Sequence, residues 1–376
     1  MSLKSPIIID LGSSEIKAGF RTDNNTPSLR FPSYIGEPKY NKILRPLNKS
    51  NYQYNEEFLG EDCNPYLGIL KLRYPIKHGA FEDEKDISLV FNHIFSKLKL
   101  KEDDLSRCPL LITEPLLNQK KNREMISTLL FEKYNIPSLI FAYQPSLSLF
   151  AFSDLSGVIL ESGGGVTQIC SIINGNSIPS SFMRSDFGGE DVNEYLRILL
   201  KLRGFDLISD SEKLLLNEIK KKFVNCTLDM KKEENITYKY TLPDHNVIQI
   251  DVEKNLASKV LLNPSLVGKN CLGMDQMIAT CIEKVNYELR EQLCSLIKLT
   301  GGNCCIKGLN EIMHTIIKTL LPKYSNKIKL RVHGSPTFSC WQGGNFISAL
   351  GIFKDLLITK QNWEENGNDI IHKQTF

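Results

Sequence analysis

The sequence predicts a three-layer α/β fold made of two similar halves. In the first half, the apolar residues 7–9 are followed by Asp10 and then by a turn of small residues at 12–14. In the second half, the apolar residues 158–160 are followed by Glu161 and a turn of small residues at 162–165, in the same order. Strand patterns alternate with helical patterns along the chain, which is typical of sheets covered by helices on both faces.

Each turn continues into β-branched residues, so both segments are predicted to be strand–turn–strand hairpins. Apolar periodicity predicts helices over 87–100, 122–134, 189–202, 211–223, 275–296 and 309–321. Alternating residues predict a further hairpin over 238–251, turning at Pro243, Asp244 and His245. The polar, mildly basic stretch 39–55 is either a solvated surface loop or a loop that contacts a partner.

Composition excludes several classes of protein. The 376 residues suffice for two domains, and the net charge of +3 argues against nucleic acid as a direct partner. No apolar run reaches the roughly 18–20 residues of a transmembrane helix. The ten Cys show no Cys-x-x-Cys pair, which argues against a zinc site and against a disulfide framework. A soluble protein of a reducing, intracellular compartment is expected.

The two turns are the first candidates for chemistry. Small residues after a strand leave backbone N–H groups accessible to phosphate oxygens, although each turn alone could be an ordinary tight turn. Together they suggest a two-sided phosphate clamp, with Lys17 close enough to the first turn to neutralise a phosphate. Neither turn matches the P-loop or the dinucleotide-binding pattern before a helix. The sequence also lacks a Gly-x-Ser-x-Gly elbow, which argues against covalent catalysis.

Two further glycine pairs could approach a nucleotide. Gly188 and Gly189 precede a predicted helix, and Gly301 and Gly302 follow an apolar run. Glycine pairs at such places allow ribose or phosphate to come close, but they are equally common as plain helix entries and turns.

With these features, the sequence closely resembles the actin superfamily. The resemblance begins at residues 10–20 and continues in order over the whole chain, with no large insertion. The blocks that carry it lie at 10–20, 68–79, 112–115, 122–124, 143–149, 240–244, 341–344 and 371–376.

The resemblance implies an actin-like ATPase fold, with four subdomains in two halves around a cleft for ATP or ADP and Mg²⁺. The halves would be residues 1–150 plus 345–376 and residues 151–344. It also implies a role for each matching position. The phosphates would contact Gly12, Ser13, Ser14 and Lys17, and Asp10 would lie near the metal. The second hairpin would contribute Ser162, Gly163, Gly164, Gly165 and Val166. Ribose and adenine would meet Gly189, Lys220, Gly301 and Gly302.

Three positions depart from the actin pattern in a way that affects hydrolysis. Glu161 and Gly164 stand where actin has Asp, and Gln168 stands where it has His, while Gln144 matches the glutamine that helps position the attacking water. Loss of a water-positioning group typically costs about 10²–10⁴-fold in rate. Hydrolysis is therefore expected to be slow or absent, with Gln144, Glu161 and Gln168 as the residues that would support what remains.

The assembly surfaces also differ from those of actin. Residues 39–55 replace the loop with which one actin subunit holds the next, and residues 265–271 replace an apolar plug but add Lys269. Charge at a subunit contact costs desolvation unless it is paired, so ordinary self-polymerisation is doubtful. The positions of actin's partner-binding groove stay apolar, and they either bind a partner or pack between subdomains. They are Phe150, Ile347, Leu350, Ile352 and Leu356.

Three functions remain open. The first is a nucleotide-binding subunit of a cytoskeletal complex, similar to centractin or to the branch-nucleating actin-related proteins, in the cytoplasm and with other actin-family or cytoskeletal subunits as partners. The second is a polymerising actin-like ATPase. The third is a nuclear actin-related subunit of a chromatin-remodelling complex.

Overall fold

The computed structural model describes residues 4–39, 57–227, 237–242 and 245–373. Most of the predicted loop at 39–55, the turn residues Pro243 and Asp244, and the terminal residues 374–376 lie outside this part. Among the described residues, no helix is both long enough and apolar enough to span a membrane.

The strands and helices are numbered in chain order. The strands are β1 Ile7–Leu11, β2 Glu15–Phe20, β3 Leu29–Pro32, β4 Ile35–Pro38, β5 Phe58–Leu59, β6 Leu70–Arg73, β7 Ile76–Lys77, β8 Ala80–Phe81, β9 Leu110–Glu114, β10 Ser138–Tyr143, β11 Gly157–Ser162, β12 Thr167–Ile173, β13 Asn176–Ser177, β14 Met183–Ser185, β15 Tyr238–Thr241, β16 Val247–Ile250, β17 Ile297–Thr300, β18 Leu330–Val332 and β19 Ile358–Thr359. The α-helices are α1 Glu84–Lys97, α2 Glu102–Leu105, α3 Lys120–Thr128, α4 Gln144–Ala151, α5 Gly189–Leu202, α6 Asp210–Phe223, α7 Glu253–Leu256, α8 Met274–Glu283, α9 Tyr287–Cys294, α10 Leu309–Leu320, α11 Ser339–Ile347, α12 Lys360–Asn366 and α13 Asp369–Lys373.

The chain divides into two compact units. Unit 1 comprises residues 1–151 and 340–376, and unit 2 comprises residues 152–339. Unit 1 contains a six-stranded sheet in the order β19-β10-β9-β1-β2-β3, in which β1, β9 and β10 are parallel. Smaller sheets of β5-β4-β6 and β7-β8 complete its strands.

The six-stranded sheet of unit 1 separates two cores. Ile7 and Ile9 pack into a cluster with apolar residues of α1 and α3. Ile8, which points to the opposite face, packs with Leu147 of α4 and Trp341 of α11. The indole of Trp341 also donates a hydrogen bond to the carbonyl of Ile8, at 3.2 Å. Because side chains alternate across a strand, an uninterrupted apolar run fills both cores, and the sheet becomes the middle of three layers.

Unit 2 repeats this arrangement. Its sheet has the order β13-β12-β11-β17-β18, with β14 also paired to β12. Strands β11, β17 and β18 are parallel, and β11 and β12 form a hairpin as β1 and β2 do. The α/β fold class and the two hairpins predicted from the sequence are therefore confirmed. Strands β15 and β16 form the predicted hairpin over 238–251.

A local sequence signal explains where α6 begins. At α6, the hydroxyl of Ser209 accepts a hydrogen bond from the amide of Glu212, and the Glu212 carboxylate accepts one from the amide of Ser209. This reciprocal capping box satisfies amides that have no partner within the helix. The predicted helices at 189–202, 211–223 and 309–321 are confirmed to within a residue.

Two helix predictions need correction. The single helix predicted over 275–296 is two helices, α8 and α9, interrupted at Asn286, whose backbone is extended. The side chain of Arg290 turns back and donates to the carbonyls of Val285 and Glu283, which stabilises the break. The helix predicted over 122–134 is α-helical only to Thr128 and continues as a π-helical turn over Leu129–Lys133.

Candidate functional site

The first candidate turn, residues 12–14, joins β1 to β2. A Cβ at Gly12 would lie 2.4 Å from the carbonyl oxygen of Glu15, so the tight turn requires glycine there. The hydroxyl of Ser13 accepts a hydrogen bond from the amide of Gly79, at 2.9 Å, and the side chain of Ser14 is exposed. Ser13 therefore connects the turn to a neighbouring loop of unit 1, while Ser14 is accessible to a ligand.

Asp10 lies at the end of β1, directly before this turn, and is 4% exposed. It pairs in register with Lys17 of β2, whose Nζ lies 3.2 Å from Oδ2 of Asp10. Thr113 donates to Oδ1 of Asp10 at 2.8 Å, and Nε2 of Gln144 lies 3.4 Å from the same oxygen. Because β1, β9 and β10 are parallel, their carboxyl ends bring these side chains to one edge of the sheet.

Three of the predicted site residues, Asp10, Lys17 and Gln144, thus form one hydrogen-bonded group. Thr113 completes it, although sequence reasoning did not assign it a role. Its position at the end of the strand next to β1 is the signal that could have identified it.

Electrostatics keep Lys17 charged in its buried position. Burial by itself lowers the pKa of Lys17, but the Asp10 and Glu15 carboxylates more than offset this, so the pKa lies above its ordinary value. A protonated ammonium group therefore lies beside a turn with an exposed serine. Such a group attracts anions, phosphate in particular.

The second candidate turn, residues 163–166, joins β11 to β12. Its closing hydrogen bond runs from the amide of Gly163 to the carbonyl of Val166, at 2.9 Å. Ser162 is fully buried, and its hydroxyl contacts the hydroxyl of Thr167 at 2.8 Å and accepts from Asn303 at 2.8 Å. The Ser162 side chain therefore holds the hairpin together, and a contact of this residue with a ligand stays a prediction.

The backbone of the second turn has a defined orientation. The carbonyl of Gly163 accepts from the amide of Gly189 at 2.9 Å and from Asn303 at 2.8 Å. The carbonyl of Gly164 accepts from the amide of Glu190, also at 2.9 Å. In a trans peptide the N–H points away from the C=O, so the amides of Gly164 and Gly165 point away from α5. Successive amides that share a direction are suited to an anion.

The start of α5 packs tightly against this turn. A Cβ at Gly188 would lie 2.5 Å from the carbonyl oxygen of Gly163, so no larger residue fits. Since the amides of Gly189 and Glu190 already donate to the turn, the helix start supports the turn instead of offering these two amides to a ligand. The approach of ribose or phosphate to this glycine pair stays a prediction.

Lys220 of α6 reaches the same region. Its Nζ donates to the carbonyl of Gly189 at 2.8 Å. Burial and the nearby Lys221 lower the pKa of Lys220 to about 8, so this group titrates close to neutral pH. The predicted residues Gly189 and Lys220 are therefore in contact.

The glycine pair after β17 has two different roles. Gly301 has a φ of +89°, and a Cβ there would lie 2.2 Å from the carbonyl oxygen of Ser162. At Gly302 a Cβ would meet no atom within 4 Å, which leaves this backbone open to a ligand. Asn303, which sequence reasoning did not assign, ties this segment to the turn through its bonds to Ser162 and Gly163.

Glu161 and Gln168 occupy paired positions on β11 and β12, directly before and shortly after the second turn. Nε2 of Gln168 lies 3.5 Å from Oε2 of Glu161, and Gln168 is almost fully buried. An amide cannot take up a proton as an imidazole can, so Gln168 can orient a group but cannot act as a base.

The donor set suits a phosphate better than a bare metal ion. In the part of the chain that the structure describes, no group of three or more His, Cys, Asp and Glu side chains could hold a metal. Mg²⁺ commonly keeps several waters and binds through one or two carboxylates together with phosphates of its substrate. Asp10 fits that mode, because its carboxylate lies beside Lys17 and the first turn.

The five predicted groove residues, all in unit 1, divide into two sets. Phe150 and Ile347 are buried and belong to the core with Trp341, so for these two the packing alternative holds. Leu350 is 40% exposed, Ile352 is 56% exposed and Leu356 is half-buried. Phe346, which was not predicted, is 47% exposed. We call the three exposed residues the apolar patch: Phe346, Leu350 and Ile352.

Comparison with known proteins gives two findings. The family model described as Actin matches residues 2–210 and 207–376. A protein of Neurospora crassa described as "Actin-like protein" is 33% identical over 380 aligned residues, which cover 98% of this chain and 97% of that protein. The similarity extends over both units and includes both candidate turns.

Proposed function

The chain belongs to the actin family, and we propose that it binds ATP or ADP with Mg²⁺ as a subunit of a cytoskeletal protein complex. The role would be of the centractin-like or branch-nucleating kind, in the cytoplasm, with weak or absent hydrolysis of ATP. Its partners would be other actin-family or cytoskeletal subunits.

The observation that carries the nucleotide proposal is the buried pair of Asp10 and Lys17 beside the first turn. A buried ion pair is costly unless its geometry and its further hydrogen bonds are good, and Thr113 and Gln144 supply such bonds. The second turn has the same position on its hairpin, with amides directed away from α5. Each unit therefore offers a turn suited to phosphate oxygens.

For the metal, Asp10 is the residue that would orient a hydrated Mg²⁺, which supplies charge neutralisation for the phosphates when it is bound. Both Asp10 oxygens already have protein partners, so we propose contact through water and not direct coordination. Lys17 would bind phosphate oxygens, and Gly302 would leave room for the rest of the nucleotide.

The proposal of weak hydrolysis depends on Gln168 and Gly164. Gln144 is the residue that would orient a water, because its side chain lies at the edge that carries Asp10. Within unit 2, Gln168 cannot act as a base, and Gly164 has no side chain that could assist one. The remaining carboxylate, Glu161, contacts Gln168.

The subunit proposal is supported by the apolar patch. Exposed large apolar residues often mark a protein contact, and these three fall within seven residues of the sequence. Lys269, in the segment that matches actin's apolar plug, is paired with Asp191 of its own unit. Because this charge is paired, its desolvation cost no longer argues against self-association, and the subunit proposal depends on the apolar patch.

Two measurements test the proposal. Addition of Mg-ATP to the purified protein should raise its stability, by about 2.7 kcal/mol at 100 times the dissociation constant. Phosphate release should then be far slower than that of actin filaments. An unchanged melting temperature at saturating Mg-ATP would reject the nucleotide site, and phosphate release at the actin rate would reject weak hydrolysis.

The complex is tested by affinity purification of the tagged protein from its native cells, with mass spectrometry of co-eluting proteins. A defined complex with cytoskeletal subunits is expected. Recovery with chromatin-remodelling subunits would contradict it.

A second candidate is a polymerising ATPase, which the position of Gln144 beside Asp10 favours. Sedimentation of the purified protein with Mg-ATP distinguishes the two. A pelleted homopolymer supports this candidate, and a monomer supports the subunit proposal.

A further inference from the structure

Residues 263–271 of unit 2 form a compact segment on the surface. Its centre is a 3₁₀ turn over Pro264–Val267, which Gly268 ends with a left-handed backbone at φ +77°. The amide of Lys269 then donates to the carbonyl of Pro264 at 3.2 Å. The chain is thereby turned back on itself, with Lys269 directly after the turn.

The side chain of Lys269 does not extend into solvent. Its Nζ lies 2.9 Å from Oδ1 of Asp191 and also donates to the carbonyl of Asp186. The Asp191 side chain is only 12% exposed, whereas that of Lys269 is 32% exposed. A surface segment therefore supplies the cation for a nearly buried carboxylate.

Asp191 transmits this contact to the second turn. Its other oxygen, Oδ2, accepts a hydrogen bond from the amide of Gly188 at 2.8 Å. The next two amides, of Gly189 and Glu190, donate to the carbonyls of Gly163 and Gly164. An unbroken series of contacts thus connects Lys269 to the backbone whose amides point away from α5.

We propose that Lys269 is a positioning residue for the second turn, and that the segment 263–271 is coupled through Asp191 to the phosphate that this turn binds. The inference rests on the proposed nucleotide site. Without Lys269, the Asp191 carboxylate keeps its burial but loses its cation, which favours a shift toward solvent. That shift moves Gly188 and weakens the two hydrogen bonds that the start of α5 donates to the turn carbonyls. The amides of Gly164 and Gly165 then become less well aligned for an anion.

The same coupling operates in the opposite direction. An anion that accepts from the turn amides polarises these peptides toward their carbonyl oxygens, which strengthens the hydrogen bonds from α5, and it holds the backbone in place. The start of α5, Asp191 and the segment 263–271 then fluctuate less. Coupling between two sites is reciprocal when it is expressed as binding free energy.

The test compares wild-type protein with Lys269→Met, which keeps the length of the side chain but removes its charge. Mg-ATP affinity should fall about tenfold, in line with the loss of a hydrogen-bonded charge. Hydrogen exchange of peptides covering 186–191 and 263–271 should rise in the variant, and Mg-ATP should protect both peptides in wild type. Lys269→Arg should restore the affinity. Lys259→Met, at an exposed lysine of the same unit, is the matched control.

The outcomes separate the two proposals. If wild-type protein binds no Mg-ATP, the proposed function fails, and unchanged exchange at 186–191 in Lys269→Met would then also reject the mechanical link. If wild type binds but Lys269→Met binds equally well with unchanged exchange, only the role of Lys269 is rejected. Equal melting temperatures of the variants would exclude general unfolding as the cause of a loss of Mg-ATP affinity.

Discussion

Nζ of Lys17 lies 3.2 Å from the carboxylate of Asp10, across directly paired positions of β1 and β2. The two side chains neutralise each other in a site that is almost closed to solvent, and the turn between their strands is too tight for any residue but glycine at position 12. The ammonium group of Lys17 is thus held in place by the hairpin itself, and its removal should affect both stability and binding.

We expect Lys17→Met to lower the free energy of unfolding by about 3 kcal/mol, because Asp10 is left as a buried carboxylate without its cation. The double variant Asp10→Asn/Lys17→Met should lose less than Lys17→Met alone, since neither charge remains. Urea unfolding measures both values, with the exposed Lys71→Met as control. A double variant that loses the sum of both single changes would contradict this explanation.

Hydrolysis should respond to two substitutions near the second turn. The double change Gly164→Asp/Gln168→His supplies a carboxylate and an imidazole that can accept a proton, and should raise phosphate release at least about tenfold. Gly164 does not have a positive φ, so its backbone conformation does not strain an aspartate there. Gln168→Asn, which adds no base, is the control. If phosphate release is no faster than in wild type, residues other than Gly164 and Gln168 limit the rate of hydrolysis.

Stability should depend on the titration of Lys220. Its pKa is about 8 in the folded protein and about 10.5 when unfolded, so between these values the unfolded state binds more protons. Stability then rises with pH from about 8 to 10.5, by about 1–3 kcal/mol. Urea unfolding across pH 7–10.5 should give this rise in wild type relative to Lys220→Met. Parallel curves for the two proteins would be inconsistent with a lowered pKa.

The apolar patch should be needed for partners and not for folding. Ile352→Asp is expected to change stability by less than about 0.5 kcal/mol, because the side chain is largely exposed. It should nevertheless abolish co-purification of partner subunits. Ile208→Asp, which changes an equally exposed isoleucine of unit 2, should leave the complex intact. Unchanged recovery of partners with Ile352→Asp would assign them to another surface.

The parts of the structure that depend on local pattern could be predicted from the sequence. The two hairpins followed from an apolar run, a carboxylate and small residues in the same order. Helix α5 followed from apolar periodicity and from the glycine pair at its start. The split between α8 and α9 could not be predicted in this way, because it depends on the side chain of Arg290 turning back to two carbonyls.

Roles that depend on neighbouring strands were harder to predict. Thr113 reaches Asp10 only because β9 lies beside β1, and Asn303 reaches the second turn from the far end of β17. Ser162 was predicted to contact phosphate because it belongs to the hairpin that resembles the one in actin. The alternation of side chains along β11 directs its hydroxyl into the interior of unit 2. Phe150 and Ile347 are apolar because both fill the core beside Trp341. The sequence pattern alone cannot distinguish such a core residue from one that binds a partner.

The bond between Trp341 and Ile8 has a consequence for synthesis on the ribosome. It joins residues 333 positions apart, so the face of β1 that carries Ile8 lacks its covering helix until α11 has been made. At about 5–20 residues per second, that face waits roughly 15–70 s. Unit 2 is continuous in sequence, but its last residue, Ser339, is made only two positions before Trp341, so neither unit is complete during this interval. The exposed face of β1 must therefore be protected from aggregation until α11 has been made.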